Sequence, residues 1–324
     1  MVKVTVIIPN YNGIQYIKNC LDSLYRQEEG TPEFSVIVVD NASSDGSREL
    51  VRDYFPQVDL IRLKKNTGFC HAVNRGIKKA KTPYVILLNN DTAVMPGFVK
   101  YLTEAVAGKK STFSVSAKML MWDDDSLVDD AGDGLSVLGW AYSRGKGKPA
   151  GDYDKSSEVF SACAGAAIYR KDVFAQIGLF DENHFAYLED VDIGYRARIY
   201  GYRNYFEPRA KVRHAGSAVS GSRYNEFKTR LASANSIYLI WKNMPLFQLI
   251  LNFPFLLAGF TCKIIFFASK KMGMLYLKGL WQGVKKCTKT EGKKHKIPFR
   301  IRHTGNYIKI QLRIYADTFR FLYS

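Results

Sequence analysis

The chain has 324 residues, 47 % apolar and 14 % aromatic, which suffices to bury one large core or two smaller ones and argues against a disordered chain. Its five scattered cysteines (Cys20, Cys70, Cys163, Cys262, Cys287) show no CxxC spacing, which points to reduced thiols of a cytosolic protein rather than a disulfide framework or a zinc site. The net charge of +17 lies mostly at the end: from Lys242 onward sixteen Lys/Arg stand against two acids, Glu291 and Asp317, so a nearly balanced body carries a basic, aromatic tail suited to an anionic surface, either membrane headgroups or nucleic acid.

The opening MVKVTVIIPNYNG has too short an apolar run for a signal peptide and reads directly as strand; no internal repeat follows. Val4 to Pro9 is a buried-type strand, and residues 14 to 25 place Ile14, Ile17, Leu21 and Leu24 on one helical face. Ser35 to Asp40 is a second strand, followed by NASSDGS, a turn that supplies an N-cap for a helix from Ser47 to Tyr54. A short strand at Leu60 to Leu63, a helix from Gly68 to Ala80 and a strand at Tyr84 to Leu88 complete an alternating α/β pattern. Such a pattern implies a mostly parallel sheet flanked by helices. Residues 110 to 160, with the acidic WDDDSLVDDAGDG, read as long connections and a hairpin. SACAGAAIYR then reads as a strand and KDVFAQIG as a short helix. The following helix would turn Leu188, Val191, Ile193 and Ala197 inward, with Glu189, Asp190 and Asp192 at its start.

Ligands of parallel sheets bind at the carboxyl ends of the strands. Here those ends carry Asn10-Tyr11-Asn12, Asp40-Asn41 and Asn89-Asn90-Asp91. No glycine-rich phosphate loop is present, so a bound nucleotide needs another neutraliser, and a divalent cation on Asp91 is a candidate; capping of the helix after Met95-Pro96-Gly97 is the plainer role for the same residues. In LEDVDIGYR, Asp190 is a candidate general base, set against dipole compensation and pairing with Arg196 or Arg198. His214 follows a strand and precedes a Gly/Ser loop, where a structural role is the plainer reading.

VIIPNYNG, VVDNASSDGS, NTGFCHAVNRGI, LLNND and GLFDENHFAYLEDVDIGYRARIYGYR, in this order, resemble family 2 glycosyltransferases, and within them the rhamnosyltransferase-like branch, over roughly residues 3 to 240. The resemblance implies a GT-A fold, with a catalytic domain over 1–240 (a nucleotide-sugar half to about 110, an acceptor half beyond) and a helical, hydrophobic and basic C-terminal region over 241–324. It implies that Pro9, Asn10 and Tyr11 line the base pocket, that Asp40 bonds the base, and that Asn66, Gly68 and Asn74 shape the nucleotide floor, with Asn89 and Asn90 beside the donor. Asp91 would be the last carboxylate of the metal motif, holding Mg²⁺ or Mn²⁺, and His214 a metal or diphosphate contact. Asp190 would be the catalytic base of an inverting transfer, with Glu189 as its neighbour. Asn89 departs from the aspartate many members carry, which removes a charge from the metal site. The implied partners are a nucleotide-sugar donor, dTDP-rhamnose first, and a glycan or lipid-linked acceptor.

Asn243 to Cys262 carries no charge over a length near that of a membrane span, yet Gln248, Asn252 and Pro254 fall inside it. A single span would also put the following lysines outside, against the positive-inside bias. An in-plane helix on anionic headgroups at the cytoplasmic membrane face resolves both; a true span and a soluble or oligomer-forming subdomain are the alternatives. The rival from another class is single-stranded nucleic acid stacking on RIRHTGNYIKIQLRIYADTFRF, although no nucleic acid is expected as partner of a glycosyltransferase.

Overall fold

The computed structural model describes residues 3–108, 110–216 and 225–323. The first half runs β1 (Val4–Asn10), α1 (Ile17–Leu24), β2 (Phe34–Asp40), α2 (Ser47–Tyr54), β3 (Asp59–Arg62), α3 (Phe69–Lys79), β4 (Tyr84–Leu88), β5 (Thr92–Val94) and α4 (Phe98–Ala107). Next come β6 (Thr112–Met121), β7 (Val128–Asp130), β8 (Asp133–Leu135), β9 (Ala141–Ser143), β10 (Ser157–Val159), β11 (Ala166–Arg170), α5 (Phe174–Ile177), α6 (Glu189–Ile199) and β12 (Arg203–His214). The C-terminal helices are α7 (Glu226–Asn243), α8 (Leu246–Ser269), α9 (Gly273–Thr288), α10 (Thr290–His295) and α11 (Thr304–Tyr323).

Strands β3, β2, β1 and β4 form a parallel half-sheet, β11 joins β4 and β6 antiparallel, and β6 pairs in parallel with β12. The continuous apolar runs arise because both sheet faces are covered. In β1, Val4, Val6 and Ile8 meet Leu21 of α1 and Leu102 of α4, whereas Ile7 meets Val73 and Ile77 of α3.

Several local expectations shift for identifiable reasons. Helix α1 starts at Ile17, because Ile14 donates its N–H to the Asp45 carboxylate (2.8 Å) and Tyr16 turns back to the Gly13 carbonyl (3.0 Å). At the start of α2 the cap position is Gly46, and Asp45 accepts from the N–H of Ser47 (3.0 Å). Residues 112–121, read as irregular, are a ten-residue strand buried in all but its last position. Its polar residues are satisfied across the sheet: Ser114 donates to Asn204 (2.8 Å), and Lys118 donates to the Ala150 carbonyl (2.8 Å) and Asp154 (2.5 Å). The anticipated hairpin is β8–β9. The Gly/Ser loop after His214 lies beyond residue 216, outside the described residues.

Helix α6 departs from the amphipathic expectation. Leu188 stands before it at φ 67°, and every residue from Glu189 to Ile199 is buried except Asp190. Of the acids at its start, Asp192 rather than Asp190 pairs with Arg196 (2.8 Å), and Arg198 goes to Glu158 (2.9 Å). Lys242 of α7 bridges Asp181 (2.7 Å) and Asp192 (2.9 Å), and Asn243 donates to Asp192 (2.8 Å), so α7 is clamped to α6 by buried charges. An apolar cluster then joins Val191 and Tyr195 of α6 to Ile240 of α7, Leu256 of α8 and Ile310 of α11. The chain after residue 240 thereby shares a core with what precedes it.

Candidate active site

A cleft of about 520 Å³ opens along the carboxyl ends of β1 and β4, closed on its far side by β8, β9 and the start of α6. Pro9, Asn10, Tyr11, Asn66 and Gly68 line one wall, Asn89, Asn90 and Asp91 the floor, and Glu189, Asp190 and His214 the remaining rim. Two sites 99 residues apart in the chain, Asp91 and Asp190, thus face a common volume.

The wall at β1 is preset by hydrogen bonds. The Asn10 amide donates to Asp40 (3.2 Å), Ser43 (3.2 Å) and Ser47 (2.9 Å), while Asn90 donates to the Asn10 oxygen (2.7 Å). Asp40 is fully buried in this network and does not line the cleft; its neighbour Asn41 does, donating to Asn66 (3.0 Å) and the Gly68 carbonyl (3.2 Å). Asn74 also lies away from the cleft. It holds the 180–182 segment, donating to the Phe180 carbonyl (2.8 Å) and Glu182 (3.0 Å). Gly68 adopts φ +85°, and a Cβ there would stand 2.6 Å from the Phe185 ring. Gly68→Ala is therefore expected to destabilise by about 1–3 kcal/mol and to weaken nucleotide binding, since strain and clash add. Thermal unfolding with and without nucleotide checks this, and an unchanged midpoint would contradict it.

At the floor, the Asp91 and His214 side chains approach to 3.4 Å, and the other ring nitrogen of His214 bonds Asp129 (2.7 Å), which also pairs with Lys146. This contact fixes the imidazole with Nε2 toward Asp91; a carboxylate on the far ring nitrogen orients metal-bound histidines in the same way. Burial works against a charged ring, but Asp129 and Asp91 outweigh it and raise the imidazole to about 9. Burial likewise opposes the Asp129 charge, yet His214 and Lys146 hold its carboxyl down at about 2. Among the described residues no group of three or more His, Cys, Asp or Glu converges as a metal site. One carboxylate and one imidazole suit a cation that takes its other ligands from diphosphate oxygens and water.

Opposite, Asp190 accepts from the backbone N–H of Val191 (2.8 Å) and of Ala164, which fixes its orientation. Half-buried at the cleft and drawn out of bulk water, its carboxyl is raised above the ordinary carboxylate value. Burial, with Asp190 beside it, pushes Glu189 to about 8, and its Oε2 has no hydrogen-bond partner among the described residues. The approach to α6 is strained: Phe185, Tyr187 and Leu188 all have φ between 64° and 70°. The Asn235 amide of α7 holds this segment, donating to the carbonyls of His184, Ala186 and Tyr187 at 2.8–2.9 Å. Strain of this kind is stable only when surrounding structure over-determines it.

Asp129, Asp133, Lys146 and Asn235 are site residues that the pattern of the sequence does not single out, whereas Asn41 is one of the polar strand ends it does. The acidic run before Gly134 is the one signal for Asp129 and Asp133, and it resembles a solvated loop until β8 brings Asp133, buried and accepting from Ser161 (3.3 Å), into the cleft.

Residues 5–178 match the family described as "Glycosyl transferase family 2". The chain is 29 % identical over 239 residues to an N-acetylglucosaminyl-diphospho-decaprenol L-rhamnosyltransferase of Mycobacterium tuberculosis, covering 67 % of this chain and 77 % of that protein. It is 36 % identical over 95 residues to a teichoic acid poly(glycerol phosphate) polymerase of Staphylococcus epidermidis, 28 % of this chain but only 13 % of that protein's length. In fold it is similar, at 16 % identity and a TM-score of 0.54, to a mannosyltransferase of Pyrobaculum calidifontis in complex with GDP-Man and Mn²⁺, over 96 % of this chain and 86 % of that one. The architecture is that of GT-A enzymes, as the motifs implied.

Proposed function

Because the chain belongs to glycosyl transferase family 2, we propose that it is an inverting glycosyltransferase of cell-surface polysaccharide synthesis. It moves one sugar, rhamnose from dTDP-rhamnose first, to a hydroxyl of a glycan or lipid-linked glycan. The observation that carries this reading is the single cleft that Asp91 and Asp190 line from different walls. Asp190 takes the proton of the acceptor hydroxyl, whose oxygen forms a bond to the anomeric carbon as the bond to the diphosphate breaks on the opposite face. Tyr11, exposed at the mouth, stacks on the base, and Asn41 and Asn66 edge the same wall. Asp91 and His214 would hold a Mg²⁺ or Mn²⁺ ion, which when bound supplies charge stabilisation to the departing diphosphate. The rhamnosyltransferase relative supports the donor and a diphospho-lipid acceptor; the GDP-Man complex of the fold relative favours keeping GDP-mannose, with UDP-hexoses, as the second reading. Residues 1–240 carry the chemistry in this reading, and 241–324 attach it peripherally to the cytoplasmic membrane face.

The test is protection against thermal unfolding by dTDP-rhamnose, UDP-glucose and GDP-mannose, each with and without Mn²⁺. dTDP-rhamnose with Mn²⁺ is expected to give the largest shift, most of which Asp91→Asn removes. Equal shifts without metal would remove the cation from the site, and no shift with any nucleotide-sugar would sink the reading.

A further inference from the structure

Helix α8 is built the opposite way round from a helix on a water-soluble surface. Its polar residues point inward: Gln248 accepts from the Tyr195 hydroxyl (2.8 Å) and donates to Gln311 (3.1 Å), and Asn252 exchanges hydrogen bonds with Gln311 (2.9 and 2.7 Å). Its apolar residues point outward. Leu246, Ile250, Phe253 and Leu257, at helical spacing, are each more than half exposed. Only 17 % of its most apolar 18-residue window is buried. Helix α9, packed on α8 through the stacked Phe267 and Tyr276 rings (4.7 Å), also leaves Met274 and Trp281 more than half exposed. The turn after α8 exposes Lys270 and Lys271, and α9 exposes Lys278 and Lys285, none paired with an acid among the described residues. Lys285 stands over the Trp281 ring (5.7 Å). Apolar area this extensive, with such cations on the adjoining turn and helix, fits a surface that is apolar beneath and anionic above.

The attachments of α8 decide its orientation. Gln248 and Asn252 hold its first turns to the body, and Leu256 is buried in the shared core. At Gly259 the hairpin reaches it: Trp140 donates to the Gly259 carbonyl (3.1 Å), and a Cβ at this glycine would stand 2.3 Å from the Leu138 oxygen. Phe260 still packs on the shared core and Lys263 stands over the Trp140 ring (5.5 Å), so no more than Ile264 to Ser269 extends past the hairpin, about 9 Å of helix at ~1.5 Å per residue, against a hydrocarbon core of about 30 Å. The docked helix is too short to cross.

We propose that α8 lies in the plane of an anionic phospholipid bilayer, with Leu246, Ile250, Phe253 and Leu257 among the acyl chains and the lysines of α9 on the phosphates. This rests on the glycosyltransferase reading only for its purpose. Because Trp140 touches α8 while Tyr142, two residues on, lines the cleft, the acceptor side of the active site stands one hairpin away from the lipid. A lipid-linked acceptor would then reach Asp190 without leaving its membrane.

Flotation of the full chain with phosphatidylglycerol/phosphatidylcholine vesicles tests this. Wild type is expected to float with them and not with pure phosphatidylcholine. Ile250→Asp/Leu257→Asp, at exposed positions, should lower the bound fraction about tenfold or more while keeping the nucleotide-induced thermal shift. If that pair fails to fold, Lys270→Glu/Lys278→Glu should give the same loss. Fluorophores on Leu246→Cys and Ala268→Cys, exposed positions near the two ends of α8 on the same side of the helix, should report one shallow depth by nitroxide-lipid quenching. Unchanged flotation of the variants, unequal depths for the two labels, or a wild-type dimer that the apolar pair splits without any lipid binding would each overturn the proposal. Loss of the nucleotide response in wild type would instead strike the enzymatic reading and leave the membrane result standing.

Discussion

Asp190→Asn is expected to lower sugar transfer by about 10³-fold, within the range usual for removing a general base, while nucleotide affinity changes less than twofold. The amide is isosteric and can still accept from the Val191 N–H, so the start of α6 keeps its geometry. What it cannot do is take a proton from the acceptor hydroxyl. Two measurements decide the matter: turnover with saturating donor, and nucleotide binding by titration. If donor affinity falls in step with turnover, Asp190 holds the fold of the cleft rather than the proton, and the proposed mechanism is lost.

Lys242→Met is expected to destabilise the protein by about 3–5 kcal/mol, the usual consequence of removing one partner from a buried ion pair. Asp181 and Asp192 would remain in the interior, Asp181 with the Tyr238 hydroxyl, Asn183 and His295, and Asp192 with Arg196 and Asn243. The same network sets a pH dependence. Burial opposes the Asp181 charge, but Lys242 outweighs it and holds the carboxyl at about 2 rather than 3.8; Asp192 is held lower still by Arg196 and Lys242 against the same burial. Both folded values are depressed, so this contribution is complete above about pH 4 and lost as pH falls through 4 toward 2. Burial keeps His184 neutral down to about 4, where the unfolded chain protonates near 6.5, so a second loss accrues from pH 6.5 downward. Urea midpoints at pH 7, 5 and 3.5 should fall in that order for wild type. In Lys242→Met the midpoint at pH 7 should already be low and the part of the drop below pH 4 shallower. A wild-type midpoint unchanged between pH 7 and 3.5 would show that these buried charges do not control stability.

How far the sequence could be read depended on whether an element's partners were local. Strands β1, β2 and β4 were legible because a strand covered on both faces is apolar at every position, a pattern carried by consecutive residues. Strand β6 was not, because Ser114 and Lys118 are acceptable inside only through Asn204 and Asp154, partners 90 and 36 residues away. Helix α6 looked amphipathic, yet its charged residues are buried against Lys242 and Glu158, and the one position left open is Asp190. Asn74 and Asp40 occupy the motif positions but are spent on neighbouring segments, whereas Asn41, beside Asp40 in the same motif, lines the cleft, and Asp133, which has no motif, is carried there by β8.

The amino-acid order by itself determined the alternating α/β architecture, the polar strand ends that collect on one edge, and the motifs of the glycosyltransferase family. These follow from short-range rules of periodicity and turn chemistry. Only the tertiary structure decided that Asp91 and Asp190 share a cleft, that Asp129 orients His214 across 85 residues, and that Gln248 and Asn252 turn inward so that α8 shows its apolar side to the exterior. The physical reason is that a buried polar group is stable only with its partner in place. In this chain those partners come from distant segments, so no local window contains them.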